Sequence, residues 1–306
     1  MARLEHLASD DVRLLRAFNL IGRAPRCTLR LPEPAVSGIH ASLAWSGAAW
    51  LLQDLNSRNG TYLAGRRLEG GERVAVTRGA TMGFGQPGGW VFADDAPPTA
   101  FAVPRPAGPP IEARAGILAL PSTDEPAATV FRDPPNGWQM EVRGDTQLVE
   151  DGRVVVIADQ AYELALPNAV PATFEETGIP TIDTITLRFA VSQDEEYVEL
   201  VAHDGPRGLD LASRAHHYVL LVLARRRLAD AAQPGLSAAE HGWIHQDALL
   251  DMLRIEPNRL HIDIYRARRQ LAEVGVQSAT RVVERRTGTR MLRIGVAQLE
   301  INPLQC

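Results

Sequence analysis

Residues 35–61 read AVSGIHASLAWSGAAWLLQDLNSRNGT. Two short apolar runs, Leu43 to Trp45 and Trp50 to Leu52, are split by a Ser-Gly turn. Two polar stretches bracket them, Ser37-Gly38-Ile39-His40 and Ser57-Arg58-Asn59-Gly60-Thr61. The same rhythm continues outward through Val12 to Leu15 and Arg73 to Val76, with Gly, Pro and Asn as punctuation and no helical period. Short alternating runs of this kind predict an all-β sandwich. Upstream, Gly22-Arg23 follows a further apolar run.

Gly22-Arg23, Ser37-Gly38-Ile39-His40 and Ser57-Arg58-Asn59-Gly60-Thr61 stand in the order and approximate spacing of a forkhead-associated (FHA) domain, which residues 12–93 resemble. The resemblance implies a phosphothreonine reader. A phosphate dianion is bound best by guanidinium and hydroxyl donors converging from separate loops. Arg23 would supply the fork and Ser37 the hydroxyl. Asn59, within the Arg58-Asn59-Gly60-Thr61 segment, would hold the peptide backbone, while Gly22 and His40 would be structural. Two positions depart from the family pattern. Gly38 stands where Arg or Asn is usual, a loss that Arg58 is placed to offset, and Ala64-Gly65 replaces a second Asn-Gly. Trp50 and Asp54 are read as core or loop-bracing residues.

The chain has 306 residues, enough at roughly 100–200 residues per domain for two or three cores. It is 45% hydrophobic and 23% charged, and no stretch approaches the ~18 apolar residues of a membrane span. The first residues, Met1-Ala2-Arg3-Leu4-Glu5-His6, lack the apolar core of a secretory signal. A cytoplasmic protein with no membrane contact is expected. The cysteines are Cys27 and Cys306, too few for a disulfide framework or a cysteine metal site. Lysine is absent, so all 32 basic residues are arginine. Residues 205–295 hold 15 Arg against nine acids, whereas residues 1–204 hold 17 against 27. A basic rear joined to an acidic front points to nucleic acid at the rear.

The expected organisation is multidomain α+β. Residues 1–93 form the FHA sandwich, and 94–128, rich in Pro and Ala, a disordered linker. Residues 129–204 are β-rich, with strands at Trp138 to Val142, Val154 to Ile157, Tyr162 to Leu166, Ile185 to Val191 and Tyr197 to Val201. They suit either a degenerate second FHA sandwich or the leading sheet of the next domain. Helices are expected at Ser213 to Leu228, Gln246 to Leu253 and Pro257 to Glu273, then a hairpin from Arg281 to Ile294 turning at Thr287-Gly288, and a tail over 296–306. Thr99, Ser122, Thr123 and Thr129, in or beside the linker, are candidate kinase sites that the tethered reader could capture.

The segment Leu260-His261-Ile262-Asp263-Ile264-Tyr265-Arg266-Ala267-Arg268-Arg269-Gln270-Leu271 and the hairpin around Arg285-Arg286-Thr287-Gly288-Thr289-Arg290 resemble the winged-helix effector domain of bacterial OmpR/PhoB-type response regulators, over 205–295. At ~100° per residue, Leu260, Ile264, Ala267, Leu271 and Val274 share a stripe. The resemblance implies duplex DNA as partner, with Arg259, Tyr265, Arg266, Arg268 and Arg269 toward the major groove and Arg285, Arg286 and Arg290 at the wing. His241 and His245 lie four apart but lack a third ligand or a catalytic Glu, and His216-His217 face two directions. Neither pair suggests a metal. No nucleotide loop, nucleophile elbow or kinase signature is present, so neither enzyme nor cofactor is expected. The sequence thus predicts a phosphothreonine-dependent transcriptional regulator downstream of a Ser/Thr kinase. The alternative is a protein-only adaptor.

Overall fold

The computed structural model describes residues 1–133, 136–167, 179–286 and 288–304. They divide into two compact units, Met1–Ala100 with residues 165–167 and, in the other, Phe101–Leu164 with the described residues from 179 onward.

The first unit is all strand: β1 Arg3–His6, β2 Val12–Leu14, β3 Phe18–Gly22, β4 Leu29–Arg30, β5 Ala41–Trp45, β6 Trp50–Asp54, β7 Thr61–Leu63, β8 Arg66–Arg67, β9 Arg73–Val76, β10 Thr81–Phe84 and β11 Trp90–Asp94. They build a six-stranded sheet, β2-β1-β11-β10-β7-β8, and a five-stranded one, β4-β3-β5-β6-β9. Period-two alternation decides which side chains go inward. In β6, Trp50, Leu52 and Asp54 are buried while Leu51 and Gln53 between them are half-exposed. The core joins Ile21, Leu43, Trp50 and Leu52 of one sheet to Leu4, Met82 and Phe92 of the other. Trp50 meets Phe92 edge to face at 6.1 Å, the geometry that ring quadrupoles favour.

The second unit begins with eight strands: β12 Phe101–Arg105, β13 Ile111–Glu112, β14 Ile117–Leu120, β15 Ala128–Asp133, β16 Gly137–Val142, β17 Asp145–Leu148, β18 Val154–Ile157 and β19 Gln160–Ala165. They form two four-stranded sheets, β13-β12-β19-β18 and β14-β15-β16-β17. This corrects the linker reading of 94–128. The prolines there punctuate strands rather than keep the chain open, and Phe101, Ala102 and Ile117 through Leu120 are buried. Thr129 is buried within β15 and so is not a kinase site in this conformation, whereas Thr99 and Ser122 are exposed and Thr123 is half-buried.

In the β14–β17 sheet the register places Ile117 beside Phe131, Ala119 beside Thr129, and Thr129 beside Glu141 on one face. Leu118, Leu120, Val130 and Met140 occupy the other. Both faces are buried, which explains the unbroken apolar run of β14. The β16–β17 turn has Arg143 and Gly144 both at positive φ, the two-residue hairpin geometry that glycine favours.

Next come β20 Thr186–Val191, β21 Val198–Asp204 and β22 Arg207–Ser213, then α1 His217–Ala231, β23 Ile244–His245, α2 Gln246–Leu253, α3 Pro257–Glu273, β24 Val283–Arg286, β25 Met291–Ile294 and β26 Gln298–Pro303. The expected tail is therefore corrected: β26 pairs in parallel with β20, Leu299 beside Leu187, closing the sheet β22-β21-β20-β26. The turn residue Thr287, the stretch 168–178 and Cys306 lie outside the described residues. Six consecutive buried residues, Val219 to Ala224, make α1 an interior helix, packed on β21, β25 and α3. Its core takes in Leu260, Ile264, Ala267 and Leu271 of α3.

The strands at 117–133 make a direct prediction. Leu118 is fully buried, so Leu118→Ala should cost ~2–5 kcal/mol of stability, read from chemical denaturation of the full chain. In a disordered linker the same change would be silent.

Candidate functional site

Three segments of the sandwich meet at one end of the five-stranded sheet: Arg23 after β3, the β4–β5 loop carrying Ser37, and the β6–β7 loop carrying Arg58 and Asn59. His40 ties the two loops together. Its Nδ1 accepts the Ser37 backbone N–H at 3.0 Å, which leaves Nε2 as the protonated nitrogen, donating to the Gly60 carbonyl at 3.2 Å. The ring is fully buried against Phe84, and burial lowers its pKa although the Gly60 bond and Asp54 pull the other way. It is a neutral brace at pH 7.

Asp54 anchors the second loop. It accepts the Ser57 and Thr61 hydroxyls, each at 2.6 Å, and the Ser57 N–H at 3.0 Å. Burial alone would raise its pKa, but the Ser57 and Thr61 hydrogen bonds hold it below the usual value. The Ser57 hydroxyl in turn accepts the Gly60 N–H. The polar loop is thereby fixed before any ligand arrives.

On this frame the Ser37 hydroxyl accepts the Arg58 backbone N–H at 3.0 Å, so its own proton remains to donate. The Arg23 N–H binds the Ser37 carbonyl at 2.9 Å. Asn59 spends one amide hydrogen on the Ala35 carbonyl at 2.8 Å and keeps its Oδ1 to accept. The guanidiniums of Arg23 and Arg58 are exposed and form no ion pair among the described residues. Donors of this kind from three segments suit a phosphorylated, extended peptide.

Residues 19–85 match the family model described as FHA domain. The N-terminal unit carries an FHA domain. Over 68 residues the chain is 40% identical to the FHA domain-containing protein FhaB of Mycobacterium tuberculosis, covering 22% of this chain and 39% of FhaB. Over 59 residues it is 45% identical to FhaA of the same organism, covering 19% of this chain and 11% of FhaA. The chain thus spans less than half the length of these relatives. A solved FhaA FHA domain, complexed with the intracellular domain of Rv3910, is 30% identical; the match covers 28% of this chain and 92% of that one, with a TM-score of 0.26.

In this FHA domain, Gly22 is required by a close approach. A Cβ there would collide with the Gly38 carbonyl and come within 3.0 Å of the Cys27 sulfur. Gly60 sits at φ +87°, a backbone geometry glycine adopts freely. Nothing in the structure requires glycine at 38, where a Cβ would meet open space. Thr61 is buried on Asp54 and is a loop brace rather than a ligand contact.

The proposed DNA-facing residues fare differently. Tyr265 and Arg268 are 1% and 3% exposed, and the Arg285 side chain 7%. The reading of these three as groove contacts is corrected for this conformation. Arg268 and Arg285 both donate to Glu141 of β16, at 2.8 and 2.9 Å. Arg259 is paired with Asp263, Arg269 with Glu273, Arg286 with Glu240 and Arg290 with Asp247. Arg266 is half-buried and forms no ion pair among the described residues.

Glu141 was not singled out in the sequence. Its one signal is a lone acid between Met140 and Val142 in an apolar strand. His216 and His217 both meet the Gln270 side-chain oxygen, at 2.9 and 2.8 Å, and burial lowers the His216 pKa to about 4. They are packing residues. His241 binds the Leu236 carbonyl and His245 caps α2. Among the described residues no group of three His, Cys, Asp or Glu could hold a metal, and no helix is long and apolar enough to cross a membrane.

Gly22→Ala should leave the sandwich folded but displace the Ser37 loop. Titration with a phosphothreonine peptide is expected to show at least a tenfold loss of affinity, since each charge-assisted bond is worth roughly 1.5–3 kcal/mol.

Proposed function

We propose that this protein is a phosphothreonine-dependent transcriptional regulator acting downstream of a Ser/Thr kinase. Its FHA domain reads a phosphorylated protein, and its C-terminal strands, helices and hairpin serve as a winged helix on duplex DNA. The observation that carries the first half is the Ser37 hydroxyl, fixed by the Arg58 N–H and still able to donate, beside exposed Arg23 and Arg58 guanidiniums that form no ion pair among the described residues. That arrangement matches the needs of a phosphate dianion, which carries about two charges and three acceptor oxygens. Gly38 contributes no side chain, so Arg23, Ser37 and Arg58 must supply most of the phosphate contacts.

The second half rests on the order of elements. A leading sheet, β20–β22, precedes α1, the pair α2 and α3, and the β24–β25 hairpin. The excess of arginine over 205–295 supports a polyanionic partner. A second reading, the protein-only adaptor, is favoured by one observation: Tyr265, Arg268 and Arg285 are already engaged within the chain.

Two measurements separate these readings. Calorimetry with matched phosphorylated and unphosphorylated peptides should show binding of the former alone, and Arg23→Ala should weaken it by roughly ten- to a hundredfold. Equal binding of both peptides would end the reader hypothesis. Mobility shifts of the full chain on duplex DNA should lose affinity steeply with salt, with a slope of about −0.9 per phosphate contact. No binding even at low salt would favour the adaptor.

A further inference from the structure

The α3 helix carries two buried stripes where one would suffice to fold it. Leu260, Ile264, Ala267 and Leu271 face the helical core. A second stripe, His261, Tyr265 and Arg268, repeats at i, i+4 and i+7 and lies against the β14–β17 sheet. There Tyr265 packs with Ile117, Ala119 and Phe131, and the Arg268 guanidinium lies 4.7 Å from the Phe131 ring centroid. Glu141 stands at the centre of this contact. Its carboxylate is fully buried and accepts from Arg268 and from Arg285 near the turn end of the hairpin, with the His261 ring 3.4 Å away.

We propose that the β14–β17 sheet is an intramolecular cap that closes α3 and Arg285 of the hairpin to outside ligands, with Glu141 as its latch. What the opened surface binds, duplex DNA, rests on the winged-helix reading above. Three observations carry the cap. The helix does not need the sheet to complete its own core, because its apolar stripe is satisfied elsewhere. The carboxylate offers the two guanidiniums the paired acceptor oxygens that a phosphodiester would offer them, so cap and nucleic acid compete for the same donors. The closed contact is also poorly matched: the Tyr265 hydroxyl, His261 Nε2, Arg285 Nε and the hydroxyl of Thr129, beside Glu141 in register, have no protein partner among the described residues. A permanent joint would gain from satisfying those groups or replacing them with apolar ones, whereas a cap that lifts returns them to water.

Glu141→Gln keeps the side chain's shape but leaves two buried cations without their anion, so it acts on the closed state. The full-length wild type and E141Q are compared by arginine-directed dicarbonyl labelling mapped by mass spectrometry, and by titration of a fluorescent duplex across a salt series. A single cooperative denaturation of the second unit, followed by circular dichroism of its helices, serves as the folding control. In the wild type, Arg268 and Arg285 should label far more slowly than Arg266. In E141Q they should label at least tenfold faster, duplex affinity should rise at least tenfold, and the salt slope should steepen by about two contacts. Faster labelling with no duplex binding by either protein upholds the cap and sinks the DNA reading. Unchanged labelling in folded E141Q, or equal duplex affinity and slope in two proteins that both bind, overturns the cap. Phe131→Ala removes the ring beside Arg268 and leaves every charge in place. It should shift both readouts the same way, and wild-type labelling in folded F131A also overturns the proposal.

Discussion

The second unit turns on a buried carboxylate between two guanidiniums. Burial alone would drive Glu141 to take up a proton, yet Arg285 and Arg268, with His261 beside them, hold its pKa well below the usual carboxylate value. Such a cluster adds little net stability, because desolvation offsets most of the attraction, but breaking it by removing one member costs ~3–5 kcal/mol. Its effect is to fix geometry. The cluster sets β16 against α3, and Arg268 also donates to the Thr280 and Val283 carbonyls, tying the same point to the chain that enters the hairpin. Arg285 adds the Gln246 side chain at the start of α2.

The FHA domain is built on the opposite plan. There the buried polar groups, His40 and Asp54, spend their hydrogen bonds on backbone and on loop hydroxyls, so that the groups left over at the surface are donors. Its loop arginines Arg23 and Arg58 are exposed and form no ion pair among the described residues, while those of α3 and the hairpin are mostly engaged. One unit presents a ready site for an anion, and the other has filled its own.

Short-range features were readable in the sequence. The FHA motifs lie within 40 residues of one another, and their order and spacing are visible in the chain, although the bonds that tie His40 to Gly60, Ser37 to Arg58 and Asn59 to Ala35 join separate loops. The bounds of α2 and α3 also follow from local signals, a 3.6-residue apolar period and Pro257 at the first turn. The strands between Phe101 and Asp133 were missed for a physical reason. Their apolar runs, such as Ile117 to Leu120, are four or five residues long and set among prolines, a composition shared by open linkers and by strands buried on both faces. The fate of the α3 arginines was hidden for a different reason. Arg268 and Arg285 find their counterion more than 120 residues upstream, and nothing in the helix's own pattern distinguishes a stripe facing a groove from one facing a sheet.

If Glu141 and Arg268 share one buried site, their contributions to stability are coupled. A double-mutant cycle with Glu141→Gln, Arg268→Met and the pair, read by chemical denaturation of the full chain, isolates that term. Strong non-additivity, an interaction energy above ~1.5 kcal/mol, is expected, because each single change strands a buried group. Additivity within ~0.5 kcal/mol would contradict that coupling and mean that the two side chains do not share a buried site.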